Sequence, residues 1–337
     1  MNTTIPRQPV RLLCGRPVGA IGLGCMNLNH AYGEPPSTEE GLRLLQRAFE
    51  LGVTHFDTAA LYGFGRNEEL LGRWLPAIRN QVFLASKCGM TPVEGRRVID
   101  GRPATLKATL QESLARLRTD HIDLYYLHRW DKRIPIEDSV GALADLVRAG
   151  HIGAIGLSEV SAATLRKAHA VHPIAALQTE YSLWARNAEV AVLEECRRLG
   201  VAFVAFSPVG RGFLADGIRD PAAFSRGDIR RTMPRFQTPH WESNAALLDR
   251  YRELAHAAGC TPAQLALAWV LSRGTDILPI PGTRSIAHLE EDLAAASLVL
   301  PPDVLAAADA LVNDRTVSGP RYAPSVLAEV DTEEWPA

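Results

Sequence analysis

Four side chains able to move a proton at a carbonyl stand at the ends of apolar runs, or in the turn just beyond one, in the first half of the chain. In "THFDTAALYGFGRNEELLG", Thr54 to Gly72, Asp57 closes one run and Tyr62 follows five residues later, ahead of Gly63, Gly65 and a segment with helical spacing. Lys87 closes "VFLASK" and His128 closes "IDLYYLH". A tyrosine hydroxyl with a pKa near ~10 is a weak acid at neutral pH unless something stabilises its phenolate. An adjacent ammonium does so, each unit of lowered pKa corresponding to about 1.4 kcal/mol. Lys87 is the candidate ammonium, Asp57 the group that holds it charged, and His128 a hydrogen-bond partner for a carbonyl oxygen. Taken singly, each has an ordinary structural role: a turn cap, a solvated strand end, a hydrogen-bonded histidine. As a set they form a carbonyl-protonating constellation. No Ser or Cys stands in a base-and-orienter pattern for acyl transfer, and no His or carboxylate spacing points to a metal.

These residues need a scaffold that brings distant strand ends together. The chain repeats one alternation, a short apolar or β-branched run followed by a turn and a segment with helical periodicity. The runs span Val18 to Gly24, Val53 to Ala59, Val82 to Lys87, Ile122 to His128, Ile152 to Ser158, Ile174 to Glu180, Val201 to Ser207 and Asp276 to Gly282, eight in all. "STEEGLRLLQRAFELG" opens with a capping-box pattern and closes on Gly52, and "EVAVLEECRRLG" closes on Gly200. This pattern predicts an α/β fold of the (β/α)8 TIM-barrel type, one domain over residues 1–337, rather than a doubly wound sheet with a Gly-rich fingerprint. "VRLLCGRPVG" reads as an N-terminal hairpin turning at Gly15 and plugging the barrel bottom. Gly210 to Pro239 is a long loop, Asn244 to Ala258 a helix, "PDVLAAADALV" an extra helix, and Asn313 to Ala337 a C-terminal tail over the active-site face. In a barrel the C-terminal strand ends share one mouth, so Asp57, Lys87, His128, Ser158, Glu159, Gln178, Ser207, Thr283 and Arg284 become neighbours. Aromatic side chains available to line a substrate pocket there are Tyr32, Phe64, Trp130, Trp184 and Phe213, with Trp241, Tyr322 and Trp335 in second rank. The tail either shapes substrate choice or packs on the barrel wall.

Composition narrows the partners. With 47% apolar residues, 22% charged and a formal net charge of -2, the chain has no electrostatic footprint for nucleic acid or an anionic membrane. "MNTTIPRQPVR" lacks the apolar core of a signal peptide and no run approaches a membrane span, so a cytoplasmic location is expected. Five scattered cysteines, Cys14, Cys25, Cys88, Cys196 and Cys260, read as reduced thiols. Cys88 beside Lys87 is read as a small buried filler in preference to an activated thiol.

The motifs "AIGLGCMNL", "FDTAALYG", "SKCG", "SLARLRTDHIDLYYLHRWD", "GLSE", "LQTEYSLW", "FSPVGRGFL" and "PIPGTRSIAHLEEDL", in this order, resemble those of the aldo-keto reductase superfamily over nearly the whole length. More narrowly the chain looks like the bacterial and plant branch of perakine-reductase-like enzymes. The resemblance implies NADPH-dependent reduction of a small-molecule aldehyde or ketone, with Tyr62 as general acid in a tetrad with Asp57, Lys87 and His128. It also implies NADPH contacts from Ser158, Glu159 and Gln178 to the carboxamide, stacking on Phe206, and a pyrophosphate loop through Ser207, Pro208, Gly210, Arg211 and Gly212. Gly24, Cys25 and Met26 approach by backbone, Asp57 lies nearby, and Pro281, Gly282, Thr283, Arg284, His288, Glu291 and Asp292 surround the adenosine end. Glu159 and Asp292 stand where relatives carry Asn. An ionised Glu159 accepts a hydrogen bond but donates none. Two further roles are compatible with the resemblance: a redox-sensing regulatory subunit with slow turnover, and an alcohol or pyridoxal dehydrogenase.

Overall fold

The computed structural model describes residues 8–93 and 95–335. Strands β1 (Val10–Leu13) and β2 (Arg16–Gly19) form an antiparallel hairpin that turns at Cys14 and Gly15, both with positive φ. Leu13 and Val18 enter the core inside the barrel beside Phe83, Leu124, Tyr126, Val204 and Leu278, so the hairpin fills the bottom as its apolar pattern requires. The chain continues as β3 (Leu23–Gly24), α1 (Thr38–Glu50), β4 (His55–Asp57), α2 (Arg66–Trp74) and β5 (Phe83–Cys88). A second hairpin, β6 (Met90–Val93) and β7 (Arg96–Ile99), precedes α3 (Pro103–Leu117). Then follow β8 (Ile122–Leu127), α4 (Ile136–Arg148), β9 (Ile152–Ser158), α5 (Ala162–Val171), β10 (Ile174–Glu180), α6 (Val192–Leu199) and β11 (Ala202–Phe206). Helices α7 (His240–Ala245), α8 (Leu248–Ala257) and α9 (Pro262–Ser272) lead to β12 (Ile277–Ile280), α10 (Ile286–Ala294), α11 (Pro302–Leu311) and the short α12 (Pro324–Leu327).

Eight parallel strands run in the order β3, β4, β5, β8, β9, β10, β11, β12. The ring is joined where Gly22 N donates to Pro279 O at 3.0 Å and Gly24 N to Pro281 O at 2.9 Å. This is the (β/α)8 barrel, with a side-chain core inside the strands and a larger one between strands and helices. The expected capping box on α1 is present between Ser37 and Glu40, and a second, Thr261 with Gln264, starts α9.

Several boundaries differ from the sequence reading. The first run divides: Val18 and Gly19 belong to the hairpin, and only Leu23 and Gly24 remain in the barrel strand. The helix expected at Asn244 to Ala258 is two helices, broken after Ala245. Asn244 there exchanges hydrogen bonds with the Ser318 backbone, tying the break to the tail. The loop from Gly210 to Pro239 carries four 3-10 turns and is fastened to the first strand's loop by Ile229 N to Ala31 O, 2.9 Å. No single helix among the described residues is long and apolar enough to cross a membrane.

Candidate active site

Strand register sets the site. Gly24 pairs with Asp57, Lys87 with Tyr126, Ser158 with Gln178, and Phe206 with both Glu180 and Ile280, so these positions end at one level around the barrel. His128 N donates to Cys88 O at 2.8 Å, carrying the histidine just past β8. Tyr62 opens a short 3-10 turn before α2, in which Gly63 and Phe64 adopt left-handed backbone. A cavity of about 810 Å³ opens over these ends.

Just behind its floor Lys87 Nζ donates to Asp57 Oδ1, to Thr58 O at 2.9 Å and to Tyr62 Oη at 3.2 Å. Gln178 Nε2 donates to the other Asp57 oxygen at 2.8 Å. The Lys87 ammonium lies 4.9 Å from the Tyr62 ring centre, and the Tyr62 and His128 rings meet edge-to-face at 5.8 Å. Burial disfavours the Lys87 charge, yet Asp57 and Tyr62 outweigh it and raise the ammonium pKa, so the lysine stays charged. Burial also raises the Tyr62 hydroxyl, and Lys87 only partly offsets this, against the expectation of a net lowering. Tyr62 therefore keeps its proton at neutral pH. His128 is pushed well below the ordinary histidine range by burial and by Arg129, Lys87, Arg97 and His30, and its Nδ1 has no hydrogen-bond partner. Tyr62, an acid with its proton in place, thus sits between a cation and a neutral imidazole, an arrangement able to protonate a carbonyl oxygen.

Around the same cavity lie Gly24, Met26, Ser158, Phe206, Ser207, Pro208, Arg211, Gly212, Pro281, Gly282, Thr283, Arg284, His288, Glu291 and Asp292, together with Tyr32. Gly24 and Gly282 form a tight seam: a Cβ on Gly24 would meet Ile280 O at 2.8 Å, and one on Gly282 would meet Gly24 O at 2.7 Å. Only glycine allows this approach. Beyond the seam, Arg284 and His288 are exposed around the N-terminus of α10, whose cap is Ser285, and the positive end of the helix dipole favours an anion there. Buried Asp292 beside Glu291 has its carboxyl pushed up to about 8, chiefly by desolvation.

Other residues singled out in the sequence sit elsewhere. Cys25 and Gly210 are buried and do not line the cavity, and Lys87 acts from behind it. The Glu159 carboxylate is turned away: it accepts from Arg321, from Thr332 Oγ1 at 2.8 Å and from Glu180 N at 2.9 Å, which leaves it no face for a carboxamide. Arg211 reaches the cavity, but its guanidinium is taken by Glu180 at 3.0 and 2.9 Å and by Tyr322 Oη at 2.9 Å. Four of the expected pocket aromatics are misplaced. Trp184 and Phe213 stack at 4.2 Å in a buried cluster with Phe236 and Trp241. Trp130 donates to Ile134 O at 2.9 Å, and Phe64 is exposed outside the cavity. Trp335 is also outside, whereas Tyr322 is in the wall. Cys88 is buried and its thiol pushed up to about 12, as a filler and not an activated nucleophile.

Sequence reasoning passed over His30, which stacks on Tyr62 at 6.2 Å, and Asn27, which donates to Gly282 O at 2.9 Å. It also passed over Arg97, Arg129 and Arg230, all in the cavity wall. Arg129 stands next to His128, so adjacency to a strand end was a usable signal. Arg97 depends on the unexpected β6–β7 hairpin and gave none. Among the described residues no cluster of His, Cys, Asp and Glu could hold a metal ion.

Comparison with known proteins agrees with this geometry. Residues 20–313 match the model of the Aldo/keto reductase family. The chain is 40% identical over 337 residues to an aldo-keto reductase of Schizosaccharomyces pombe named with NADP(+), spanning 97% of this chain and 99% of that protein. It is similar in structure to a glycerol dehydrogenase of Gluconobacter oxydans, with TM-score 0.84, 28% identity and coverage of 96% and 98% of the two chains. A Klebsiella pneumoniae aldo-keto reductase in complex with NADPH gives TM-score 0.72 and 26% identity over 94% of this chain and 99% of that one. With barrel, strand-end residues and family model in agreement, the chain belongs to the aldo/keto reductase family.

Proposed function

We propose that this protein reduces an aldehyde or ketone to the alcohol with NADPH, and that Tyr62 delivers the proton. The observation that carries the reading is the buried Lys87 ammonium bonded, from just behind the cavity floor, to Asp57 and Tyr62, which share that floor with His128. The donor set fits a nicotinamide dinucleotide phosphate. Ser158 and Gln178 would hold the carboxamide, Phe206 would face the ring, the Gly24–Gly282 seam would admit close backbone approach, and Arg284 with His288 at the start of α10 would hold the 2′-phosphate. The names of the yeast relative and the Klebsiella complex support that cofactor choice. NADPH, when bound, supplies the hydride.

The protein's own groups handle the proton. Burial keeps it on Tyr62 Oη until charge develops on the carbonyl oxygen. Lys87, 3.2 Å away, stabilises the phenolate left behind, and Asp57 offsets the buried ammonium. Gln178 fixes the second Asp57 oxygen, so the carboxylate cannot swing toward the substrate. A neutral His128 donates a hydrogen bond to the carbonyl oxygen without adding a full charge. Run backward, the same groups oxidise an alcohol, with the Tyr62 phenolate as base. The test is NADPH consumption with a panel of small aldehydes, quinones and ketones. Steady turnover that disappears in Tyr62→Phe supports the reading, and a single slow turnover with every carbonyl would overturn it in favour of a sensor.

A further inference from the structure

Cations crowd the substrate end of the cavity. Arg97, Arg129 and Arg230 line it near Tyr62 and Tyr32, beside His30, whose imidazole is held below its ordinary pKa by burial and by Arg97 and Arg66. Their charges are not equally free. Arg97 pairs with Glu329, and Arg230 pairs with Asp228 at 2.6 Å. Arg129 is different: its Nη1 donates to His128 O at 2.6 Å and to Ser158 Oγ at 3.1 Å, and no carboxylate among the described residues forms an ion pair with it. Glu159, whose carboxyl feels the Arg129 charge, is already held by Arg321 and Thr332. Of the carboxylates in the cavity wall, Asp57 is paired with Lys87, and Glu291 and Asp292 belong to the region around α10.

We infer that the substrate is a carbonyl compound bearing a carboxylate, received by the free edge of the Arg129 guanidinium. This rests on the reductase reading and names the substrate class for the same site. A guanidinium has five N–H donors in a planar fork that matches a carboxylate with two parallel hydrogen bonds, and Arg129 has committed only Nη1 to the protein. A half-buried, half-solvated cation with unused donors gains more from an anion than from a neutral ester. His128 and Tyr62 are its neighbours, so a carboxylate held here keeps the rest of a small molecule over the proton donor. Among the described residues no other cation in this wall combines position beside the tetrad with an unpaired charge.

The experiment compares para- and meta-formylbenzoate with their methyl esters, which differ from them in charge far more than in size. The wild-type protein is expected to favour the acids by about tenfold or more in kcat/KM, the scale of one or two charge-assisted hydrogen bonds. Arg129→Met is expected to collapse that acid-to-ester ratio, and Arg129→Lys to restore part of it. A wild-type ratio near one, or a ratio unchanged in Arg129→Met, overturns the inference. NADPH affinity of Arg129→Met, followed by fluorescence titration, separates a second source of the same chemistry: a loss as large as that for the acids assigns the guanidinium to a cofactor phosphate and overturns the substrate role. If no carbonyl is turned over, the reductase reading fails by itself. Calorimetric binding of isophthalate and its dimethyl ester to wild type and Arg129→Met then decides the anion site without turnover: selective, Arg129-dependent binding of the acid supports it, and equal binding sinks it.

Discussion

Arg321 and Glu159 lie 162 residues apart in the chain and form a two-point ion pair, Nη1 to Oε1 at 3.2 Å and Nη2 to Oε2 at 3.1 Å, with side chains 1% and 0% exposed. The pair joins the C-terminal tail to the residue after β9, where the backbone of Glu159 is itself left-handed, φ 55. Next to it Glu180, at the end of β10, binds Arg211 and Tyr322. Two strand ends, the loop after β11 and the tail therefore meet in one buried charge cluster. Breaking such a pair from one side leaves an uncompensated charge and costs about 3–5 kcal/mol. Arg321→Met is expected to lose stability on that scale in urea unfolding, and Arg321→Met with Glu159→Gln to recover part of it. A loss below about 1 kcal/mol in the single variant would show that the pair is dispensable.

The same pair has a pH signature. Burial acts to raise the Glu159 carboxyl, but Arg321 and Arg129 reverse this and hold it at about 2, against 4.5 for a free glutamate. A depressed folded pKa gives stability that is present above the unfolded pKa and lost as pH falls through the folded one. Stability should therefore decline between pH 4.5 and about 2, with a shallower decline in Glu159→Gln. Parallel curves for the two proteins would contradict the assignment.

Tyr62→Phe is expected to lower turnover by about a hundredfold or more, the range of general-acid contributions, while NADPH affinity persists. The pH profile of reduction at saturating cofactor adds a second check. Tyr62 is raised and His128 lowered from their usual values, so both hold their working forms across the neutral range. The rate should be level from about pH 6.5 to 9, between the unperturbed histidine and tyrosine values. A titration centred near 6.5 would mean that His128 is solvated.

The proximity of Asp57, Lys87 and His128 was legible in the sequence because each stands at the end of an apolar run and the repeat places run ends at one mouth, whereas Tyr62 was read from the turn five residues beyond Asp57. Asp57, Lys87 and His128 needed only the strand count. The pocket wall was not legible. Trp184 and Phe213 have the right residue type, but which way a loop aromatic points is decided by partners such as Phe236 and Trp241, which arrive from a distant loop. The β6–β7 hairpin was missed because "MTPVEGRRVID" is polar and holds a proline; the left-handed Gly95 was its one turn signal. Glu159 was misassigned because its partner Arg321 lies in a tail with no periodicity to announce contact.

The proposed role of Arg284 in choosing NADPH over NADH can be tested directly. Its guanidinium is exposed at the cavity edge, bonded to Glu34 O and to no carboxylate among the described residues. Arg284→Ala should weaken NADPH by about tenfold or more, the scale of charge-assisted hydrogen bonds, and NADH much less. Equal losses in paired fluorescence titrations would place the phosphate elsewhere.

The tail carries the last prediction. From sequence, a chain ended after Asn313 is expected to keep NADPH affinity and small-aldehyde turnover and to lose only discrimination among bulky ketones. The buried cluster changes that expectation. Truncation strips Glu159 of Arg321 and Thr332 and strips Glu180 of Tyr322, so two buried carboxylates behind the wall of the site lose partners. Marked destabilisation should follow, visible as a lower unfolding temperature, before selectivity can be measured. Selectivity is better probed by leaving the tail in place. Val326 lines the cavity on α12, next to Tyr322 and Ala323, and takes no part in the charge cluster. Val326→Trp adds bulk to the wall without touching Arg321 or Glu159. It is expected to raise KM for polycyclic ketones by about tenfold or more, the lower end of the range for shape changes in an apolar pocket, and to change KM for a small aldehyde much less. A truncated chain that unfolds at the wild-type temperature would refute the anchoring role of the tail, and equal KM changes for large and small carbonyls in Val326→Trp would refute its part in substrate choice.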